Sequence, residues 1–411
     1  KAEDYDLAAG KIRIRNLRYF TDLSDMALSY TVEQNGVAIY TGVVSELRIA
    51  PQKSKVLSLA LPQNLVGECY LNLHFRHKVA TAWAKAGDEF GVFQFALPAA
   101  KNAPVFPKKQ RVSLKESDAT YQILCGETLY EIDRVKGLVN RICDNGCELL
   151  TAPLTPSVWR APTDNDRTIR GKWNFMDSMK TKCYETKILA VSENAVSIAA
   201  ELSLGAAPET PLLHMQVCYT VNELGLTVKT DVKVRHSAPF LPRFGFTAVL
   251  PRTSENVRYF GYGPTDSYED RRLCATMGLY QSTVDEQFTH YIKPQENGNH
   301  HNTKWACVSK LAGQGLYFTA PKPFAFSALH YDAKQISDAR HDYELQRRPE
   351  TYVMIDYRRS GIGSNSCGPE LDPAYRLSEK EFSYSFCVTP AFVNDVEPFG
   401  LCAAVEEKEN A

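Results

Sequence analysis

Apolar and polar residues alternate with a period of two over much of the chain. Residues 11–19, 70–77 and 226–234 each place apolar side chains on one face and polar side chains on the other. This alternation predicts half-buried strands, and its repetition favours antiparallel β-sandwiches. Long stretches with a helical period are missing, whereas Tyr, Phe, Val and Thr are abundant. The sequence therefore predicts an all-β fold.

The distribution of these strands divides the chain into four parts. About seven short strands in residues 1–97 match the size of an immunoglobulin-like sandwich. Residues 98–110 are polar, carry prolines and lack periodicity, which indicates a linker. Strands continue through residues 111–395, where we expect one large antiparallel β-sandwich. Residues 396–411 form a tail, which we expect to be frayed from Val405 onward.

Composition narrows the range of functions. The chain carries 47 basic and 48 acidic side chains, and its net charge of -1 argues against nucleic acid or a membrane surface as the main partner. No run of about 18 apolar residues is present, so no segment is suited to cross a bilayer as a helix. The chain begins at Lys1 without an initiator Met, from which we expect a fragment or a processed product.

The 11 cysteines indicate free thiols rather than a metal site. The closest pair, Cys143 and Cys147, flanks an Asn-Gly dipeptide that is typical of a hairpin turn. The paired short spacings of a four-ligand metal site are missing. We therefore predict buried, unpaired thiols in a reducing compartment, which favours a cytoplasmic location.

Four segments between the strands are rich in Gly, Pro and polar residues, a composition typical of functional loops. They are residues 159–167, 258–272, 291–305 and 360–370. In the first, Asp164 and Asp166 are two residues apart and would face one side of an extended chain, with Arg160 and Arg167 as partners. The segment allows three interpretations: a structural loop, a substrate contact or a calcium loop. The basic residues that follow it disfavour calcium.

The other three segments also allow a structural and a functional interpretation. In the second, Tyr262 and Tyr268 either stack on a ligand or anchor the turn to the core. In the third, Glu296 and His300 either serve as a base beside sugar hydroxyls or belong to a hydrogen-bonded network. In the fourth, three glycines allow a ligand to approach the backbone closely. A nucleophilic Cys367 is disfavoured, because no histidine neighbours it in sequence.

These four segments, in this order, resemble the carboxy-terminal region of glycoside hydrolase family 2 β-galactosidases. The likeness lies in a Trp-Arg-Ala-Pro-Thr-Asp-Asn-Asp block, a Phe-Gly-x-Gly-Pro block with a Tyr-x-Asp-Arg ending, a Tyr-x-x-Pro-Gln-Glu-Asn-Gly block and a Gly-x-Gly-x-x-Ser-x-Gly-Pro block. Residues 15–23 and 80–89 resemble the sandwich that follows the barrel domain in those enzymes. The likeness thus covers nearly the whole chain.

The resemblance implies an immunoglobulin-like domain followed by a terminal sandwich similar to galactose mutarotase. It implies a retaining β-galactosidase as the parent enzyme, with both catalytic Glu residues on a barrel domain outside this chain, so we assign no catalytic residue here. The parent enzyme would use Mg²⁺ and Na⁺ in those outside domains, and no cofactor is expected in this chain. Its expected partners are galactosides and the amino-terminal and barrel part, and the complete enzyme is expected to be a homo-oligomer.

By the same resemblance, the terminal domain forms a wall of the substrate mouth. The expected substrate-binding residues are Asp164, Asn165, Asp166, Arg167, His300, Ser366 and Cys367. The loop between Arg167 and Trp173 is expected to approach the mouth and to move. Some family members carry a Trp in the glycine-rich block that stacks on the sugar. Cys367 stands at that place and offers no aromatic platform, which makes Trp173 a candidate substitute.

Three functions stay open from the sequence. The first is a non-catalytic part, or a separately encoded small subunit, of a β-galactosidase that completes the substrate mouth. The second is a stand-alone galactoside-binding module. The third is an aldose epimerase, which needs a histidine and a carboxylate in one pocket, such as His300 with Asp164 or Glu296.

Overall fold

The structure is a computed structural model that describes residues 1–206 and 209–410. Its contacts divide the chain into two compact units, Lys1–Asn102 with Met277–Leu279, and Ala103–Thr276 with Tyr280–Ala411. Strands dominate both units and pair in antiparallel ladders. The all-β class predicted from the alternation is confirmed.

Within Lys1–Asn102, where every residue is described, the chain forms seven strands. They are β1 Ala2–Asp6, β2 Lys11–Arg15, β3 Met26–Gln34, β4 Val37–Val44, β5 Ser54–Ser58, β6 Cys69–His77 and β7 Glu89–Ala96. One sheet has the order β1-β2-β5 and the other β4-β3-β6-β7. Ile12 of the first sheet and Leu28 and Leu71 of the second are fully buried in one apolar cluster, so the two sheets enclose a common core.

The described residues after Asn102 form two sheets. The smaller has the order β12-β11-β10-β9-β8 and is formed by β8 Val112–Glu116, β9 Thr120–Cys125, β10 Thr128–Asp133, β11 Leu138–Asp144 and β12 Cys147–Glu148. The larger is formed by β13 Ala152–Ser157, β14 Lys180–Val191, β15 Val196–Gly205, β16 Leu213–Asn222, β17 Gly225–Val234, β18 Arg243–Leu250, β19 Ser254–Gly263, β20 Thr276–Thr283, β21 His300–Lys310, β22 Gln314–Leu329, β23 Thr351–Arg359 and β24 Glu381–Phe392.

The larger sheet branches at its long strand β22. Its main path has the order β13-β18-β23-β22-β24-β17-β16-β15-β14. In the branch, β21 pairs with β22, β19 pairs with β21, and β20 pairs with β19. One apolar cluster includes Ile123 of the smaller sheet together with Phe246 and Phe326 of the larger, so both sheets share a core. The four segments singled out in the sequence lie at the loops that follow β13, β19 and β23 and precede β21, and the second and third segments extend into β19 and β21.

The hairpin predicted at Asn145-Gly146 is confirmed. These residues take φ values of 49° and 75° between β11 and β12, the positive φ pair that a tight hairpin turn requires. Cys143 and Cys147 are both free thiols.

Helices are few and short in the described residues. They are α1 Arg170–Trp173, α2 Ala333–Asp338 and α3 Pro398–Asn410, with 3₁₀ turns at Leu7–Ala9, Asp164–Asp166, Asn174–Met176, Asp285–Gln287, Asp342–Glu344 and Pro373–Tyr375. None of these helices has the length and apolar character that a membrane span requires.

The expectation of a frayed end from Val405 onward is wrong, because α3 continues to Asn410. Phe399 of this helix packs edge-on against Phe260 and Trp305, with ring centroids 5.0 and 5.8 Å apart. Short helices gain most of their stability from such tertiary packing rather than from local propensity. The partners of α3 lie far away in the chain, so a sequence window at its end does not show them.

Candidate functional site

The loop of the first segment is built around a buried ion pair. The Asp166 carboxylate accepts hydrogen bonds from Arg160 Nη2 at 3.0 and 3.2 Å, and from the amide and hydroxyl of Thr163 at 2.7 and 3.0 Å. Arg160 and Asp166 are 1% and 4% exposed. Asp164, by contrast, is exposed. The prediction that both carboxylates face one side is wrong, because the segment forms a 3₁₀ turn and is not extended.

Asn165 joins this loop to the glycine-rich segment. Its Nδ2 donates to the carbonyl oxygen of Gly363 at 2.9 Å, and its Oδ1 accepts the amide of Ser366 at 3.0 Å. Arg167 Nη1 donates to the carbonyl oxygen of Ser366 at 3.2 Å. Two segments 201 residues apart in sequence are therefore held together by one side-chain amide.

Asp270 of the second segment holds the glycine-rich loop through its backbone. Its two carboxylate oxygens accept the amides of Ile362 at 3.0 Å and Gly363 at 2.7 Å. A Cβ at Gly361 would lie 2.5 Å from the Asp270 carboxyl carbon, and Gly363 has a φ of +69° that favours glycine. The carboxylate of Asp270 therefore approaches the backbone at these glycines. The sequence had suggested that a ligand would occupy this position.

The third segment contributes to the same group of loops. Gln295 Oε1 accepts the amide of Asp164 at 3.1 Å. The next residue, Glu296, is 8% exposed and contacts Arg359 Nη1, so it belongs to a buried network and is not a free base. The structure therefore brings all four segments together.

The network around Glu296 alternates positive and negative groups. Arg359 Nε donates to Asp356 Oδ2 at 2.6 Å, and Arg243 Nη1 contacts the other oxygen of the same carboxylate. Two guanidinium groups and two carboxylates balance in charge, which buried ions require. Tyr268 is 1% exposed and its hydroxyl donates to Glu296 at 3.5 Å, which makes it an anchor of the turn rather than a ligand platform.

His300 lies inside the second unit and does not face a ligand. Its ring stacks on Tyr259 with centroids 4.0 Å apart, Nδ1 contacts the carbonyl oxygen of Tyr262 at 3.1 Å, and Nε2 contacts the side-chain amide of Gln287. Burial lowers the pKa of His300 to about 4, so the ring is neutral at pH 7. The network interpretation of this residue therefore fits the geometry better than a substrate contact does.

We expect the free energy of unfolding to fall as the pH drops from 6.5 towards 4. His300 titrates at its ordinary value of 6.5 in the unfolded chain but at about 4 when folded, so the unfolded state takes up more protons in this window. His301, whose pKa burial also lowers to about 4, acts in the same direction. The slope is at most about 1.4 kcal/mol per pH unit for each histidine.

Urea unfolding at pH 7, 6 and 5 measures this effect. His300→Gln should show a shallower pH dependence than the wild type, and exposed His236→Gln should keep the full dependence. An equally steep loss of stability in His300→Gln would contradict the assignment to His300.

The seven residues expected to bind substrate divide by exposure. Asp164, Arg167, Ser366 and Cys367 are exposed and line the contact between the first and fourth segments, a surface that we name the loop seam. Asn165 is half-buried beneath it. Asp166 and His300 are buried and engaged by the protein, as described above.

Comparison with known proteins places the chain in a family. Residues 126–388 match the family model described as beta galactosidase small chain, and residues 12–98 match beta-galactosidase, domain 4. The first match alone covers more than half of the chain. The chain belongs to the β-galactosidase small-chain family.

Its relatives are longer enzymes. The chain is 34% identical over 389 residues to the β-galactosidase of Actinobacillus pleuropneumoniae, a match that covers 93% of this chain and 38% of that protein. It is 31% identical over 279 residues to the β-galactosidase of Staphylococcus xylosus, covering 67% of this chain and 28% of that protein. A solved galactose mutarotase-like protein from Clostridium acetobutylicum is similar with a TM-score of 0.39 and 10% identity, covering 69% of this chain and 99% of that one.

The hypothesis that Trp173 replaces the aromatic platform of other family members is wrong. Trp173 is fully buried, and its Nε1 donates to the carbonyl oxygen of Phe240 at 2.8 Å. Helix α1 turns the indole into the core of the second unit, where it meets the Phe240 ring edge-on. Cys367 is exposed at the place where the family resemblance puts an aromatic ring.

Sequence reasoning missed the roles of Asp270 and Gln295 in the β-galactosidase small-chain loops. Both residues stand in the motif blocks that carry the family resemblance, so a signal for them was present. Their partners are backbone amides of other segments, and a motif does not reveal which amide lies opposite a side chain.

A cluster of potential metal ligands in the second unit is organised around a guanidinium group. Glu255, Asp285 and His330 bring ligand atoms within 4.8 Å of one another. Arg347 donates to Asp285 at 2.8 Å and to Glu255 at 2.9 Å, and its Nη2 lies 2.8 Å from His330 Nε2. The positive charge that these carboxylates require is thus supplied by Arg347.

Proposed function

We propose that this chain is the carboxy-terminal, non-catalytic part of a β-galactosidase, and that its loop seam forms one wall of the mouth for terminal β-D-galactosides. The catalytic carboxylates would lie in another part of the enzyme. The observation that carries the proposal is the double hydrogen bond of Asn165 to Gly363 and Ser366, which fixes the two loops as one surface. A few fixed polar groups on such a surface provide orientation and specificity for a small ligand.

Two observations, the length of the relatives and an exposed apolar patch, support the proposal that this chain binds a partner polypeptide. The chain spans 38% of the Actinobacillus enzyme, so the proposed parent has a larger remainder. In the first unit, Leu17, Tyr19, Phe20 and Phe90 are 54%, 76%, 95% and 64% exposed, and Arg18 lies over the Phe90 ring at 6.0 Å. Exposed apolar patches of this kind mark interaction sites. We assign this aromatic patch to contact with the remainder of the enzyme.

The central test is reconstitution of activity on a chromogenic β-galactoside. The chain alone should not hydrolyse the substrate, and addition of the separately produced remainder of the enzyme should restore hydrolysis. Activity of the chain alone would overturn the non-catalytic assignment. A remainder that is equally active with and without the chain would overturn the role in the mouth.

A variant of the aromatic patch tests the partner surface in the same assay. Phe20→Ser should raise the concentration of chain needed for half-maximal activity by roughly tenfold, because an aromatic anchor at an interface contributes more than about 1 kcal/mol. Leu311→Ser is the matched control, since Leu311 is 86% exposed and lies outside the patch. Equal titration curves for the two variants would contradict the assignment of the aromatic patch to contact with the remainder of the enzyme.

We expect Cys367→Trp to lower the KM of the reconstituted enzyme for an aromatic galactoside by roughly 2- to 10-fold. The factor corresponds to the about 0.5–1.5 kcal/mol of a ring contact at the mouth. The control is Cys274→Trp, because Cys274 is also an exposed thiol. A KM that responds equally in both variants, or in neither, would contradict a position of Cys367 at the mouth.

The alternative functions are separated by specific observations. An aldose epimerase needs an accessible histidine, and His300 is buried with both ring nitrogens engaged. A stand-alone galactoside-binding module would bind galactose or lactose without the remainder of the enzyme. Saturable galactose binding by the isolated chain would favour that module.

A further inference from the structure

Cys147 and Lys310 bring a thiol and an amine into contact in the second unit. Lys310 Nζ contacts Cys147 Sγ and donates to the carbonyl oxygen of Glu148 at 3.4 Å. The two residues are 163 positions apart in sequence. Both are partly exposed, so small solutes can reach the contact.

The backbone holds both side chains in place. Cys147 opens β12, directly after the tight turn at Asn145 and Gly146, and pairs with Asp144 across the hairpin. Lys310 ends β21, where it pairs with Ser254 of β19. Since both positions belong to hydrogen-bonded strands, the approach of the two groups does not depend on a loose loop.

We propose that Cys147 and Lys310 form a covalent sulfur–nitrogen link when the protein meets a hydroperoxide. Hydrogen peroxide oxidises the Cys147 thiol to a sulfenic acid: one peroxide oxygen is transferred to sulfur and the other leaves as water. Sulfenic acids condense with a neighbouring thiol or nitrogen. The Lys310 ammonium group first loses one proton to solvent, and the electron pair of the neutral Nζ then attacks the sulfur as the S–O bond breaks. The hydroxyl leaves as water with a second proton from Nζ, and a sulfenamide remains.

The surroundings favour the amine over a second thiol as the partner of the oxidised sulfur. Cys143 of the same hairpin is 8% exposed, and burial raises the pKa of its thiol. Cys143 and Cys147 occupy neighbouring rows of the β11–β12 pairing, Cys143 opposite Glu148 and Cys147 opposite Asp144. Adjacent rows of a strand pair point to opposite faces, so the Cys143 thiol is directed away from the Cys147 thiol.

The link would join the smaller sheet to the larger one. A cross-link that closes a long stretch of chain stabilises the folded state, chiefly because it restricts the unfolded chain. We expect the oxidised protein to unfold at a temperature about 3 °C or more above the reduced protein. Dithiothreitol should reverse this shift, because it reduces the S–N bond.

The test is peroxide treatment of the full chain, followed by proteolysis and mass spectrometry. The expected product is a pair of peptides joined at Cys147 and Lys310, lighter by two hydrogens than the sum of the two and separated by dithiothreitol. Cys147→Ser and Lys310→Met should abolish it, and Lys322→Met, at an exposed lysine of β22, should not.

A second measurement keeps the proposal independent of folding defects in the variants. In Lys310→Met, a sulfenic-acid reagent such as dimedone should label Cys147 more strongly than in the wild type, because the competing amine is gone. The proposal is overturned if wild-type Cys147 ends as sulfinic acid or as a disulfide while Lys310 stays free. It is also overturned if Cys147 does not react with peroxide.

Discussion

Asp356→Asn should lower the free energy of unfolding by about 3–5 kcal/mol. Asp356 is fully buried between Arg243 and Arg359, and accepts the Nε of Arg359 at 2.6 Å. The amide keeps the shape of the side chain but removes its charge. The remaining carboxylate, Glu296, contacts Arg359, so Arg243 would lose its carboxylate partner and leave an uncompensated buried charge, which is costly.

Chemical denaturation at pH 7 measures this loss as the difference between the unfolding midpoints of the variant and the wild type. The matched control is Asp338→Asn, whose carboxylate is 61% exposed and pairs with Lys334 at 3.0 Å. An exposed pair of this kind contributes less than about 1 kcal/mol. If both substitutions lowered stability by similar amounts, the buried network would not be a main stabilising element.

Asp166→Asn should destabilise the first loop by about 3 kcal/mol and expose its backbone. The Arg160 side chain is fully buried, and its Nε and Nη1 find no hydrogen-bond partner among the described residues. It depends on Asp166 and on the carbonyl oxygen of Gly361, at 3.2 Å. Asparagine can still accept the Thr163 amide, but its Nδ2 would then face Arg160 Nη2, so the substitution removes both the charge and one hydrogen-bond acceptor of Arg160.

Trypsin provides a local measurement of this loop. Arg167 is exposed and follows the turn directly, so cleavage after Arg167 should accelerate in Asp166→Asn. The control is Asp164→Asn, because the neighbouring carboxylate is exposed. Faster cleavage in both variants, or in neither, would contradict the assignment of the loop's stability to the Arg160–Asp166 pair. Under the proposed function, Asp166→Asn should also raise the KM of the reconstituted enzyme.

Strands and turns could be predicted from the sequence because their signals are local. The alternation over residues 70–77 and 226–234 coincides with β6 Cys69–His77 and β17 Gly225–Val234. A period of two depends only on which face of a strand is buried, so a short window shows it. The turn at Asn145-Gly146 is visible for the same reason, since its positive φ values favour those two residue types.

The sequence also showed which segments form the candidate site, but it did not show the role of each residue in them. The four segments were recognisable by their high content of Gly, Pro and polar residues, and the structure brings them together. Asp164 and Asp166 have the same chemistry and are only two residues apart, yet one is exposed and the other is buried against Arg160. That difference arises from a 3₁₀ turn and from a partner on the same loop, which the residue types alone do not distinguish.

The sequence by itself determined the strand pattern, the hairpin, the free thiols and the family to which the chain belongs. Only the tertiary structure decided which polar groups are available to a ligand. Asp270 bonds backbone amides of residues 362 and 363, His300 is enclosed by Tyr259 and Gln287, and Trp173 lies inside the core. Each outcome depends on a desolvated partner distant in the chain. Hydrogen bonding and burial act through space, so no local pattern of residues encodes them.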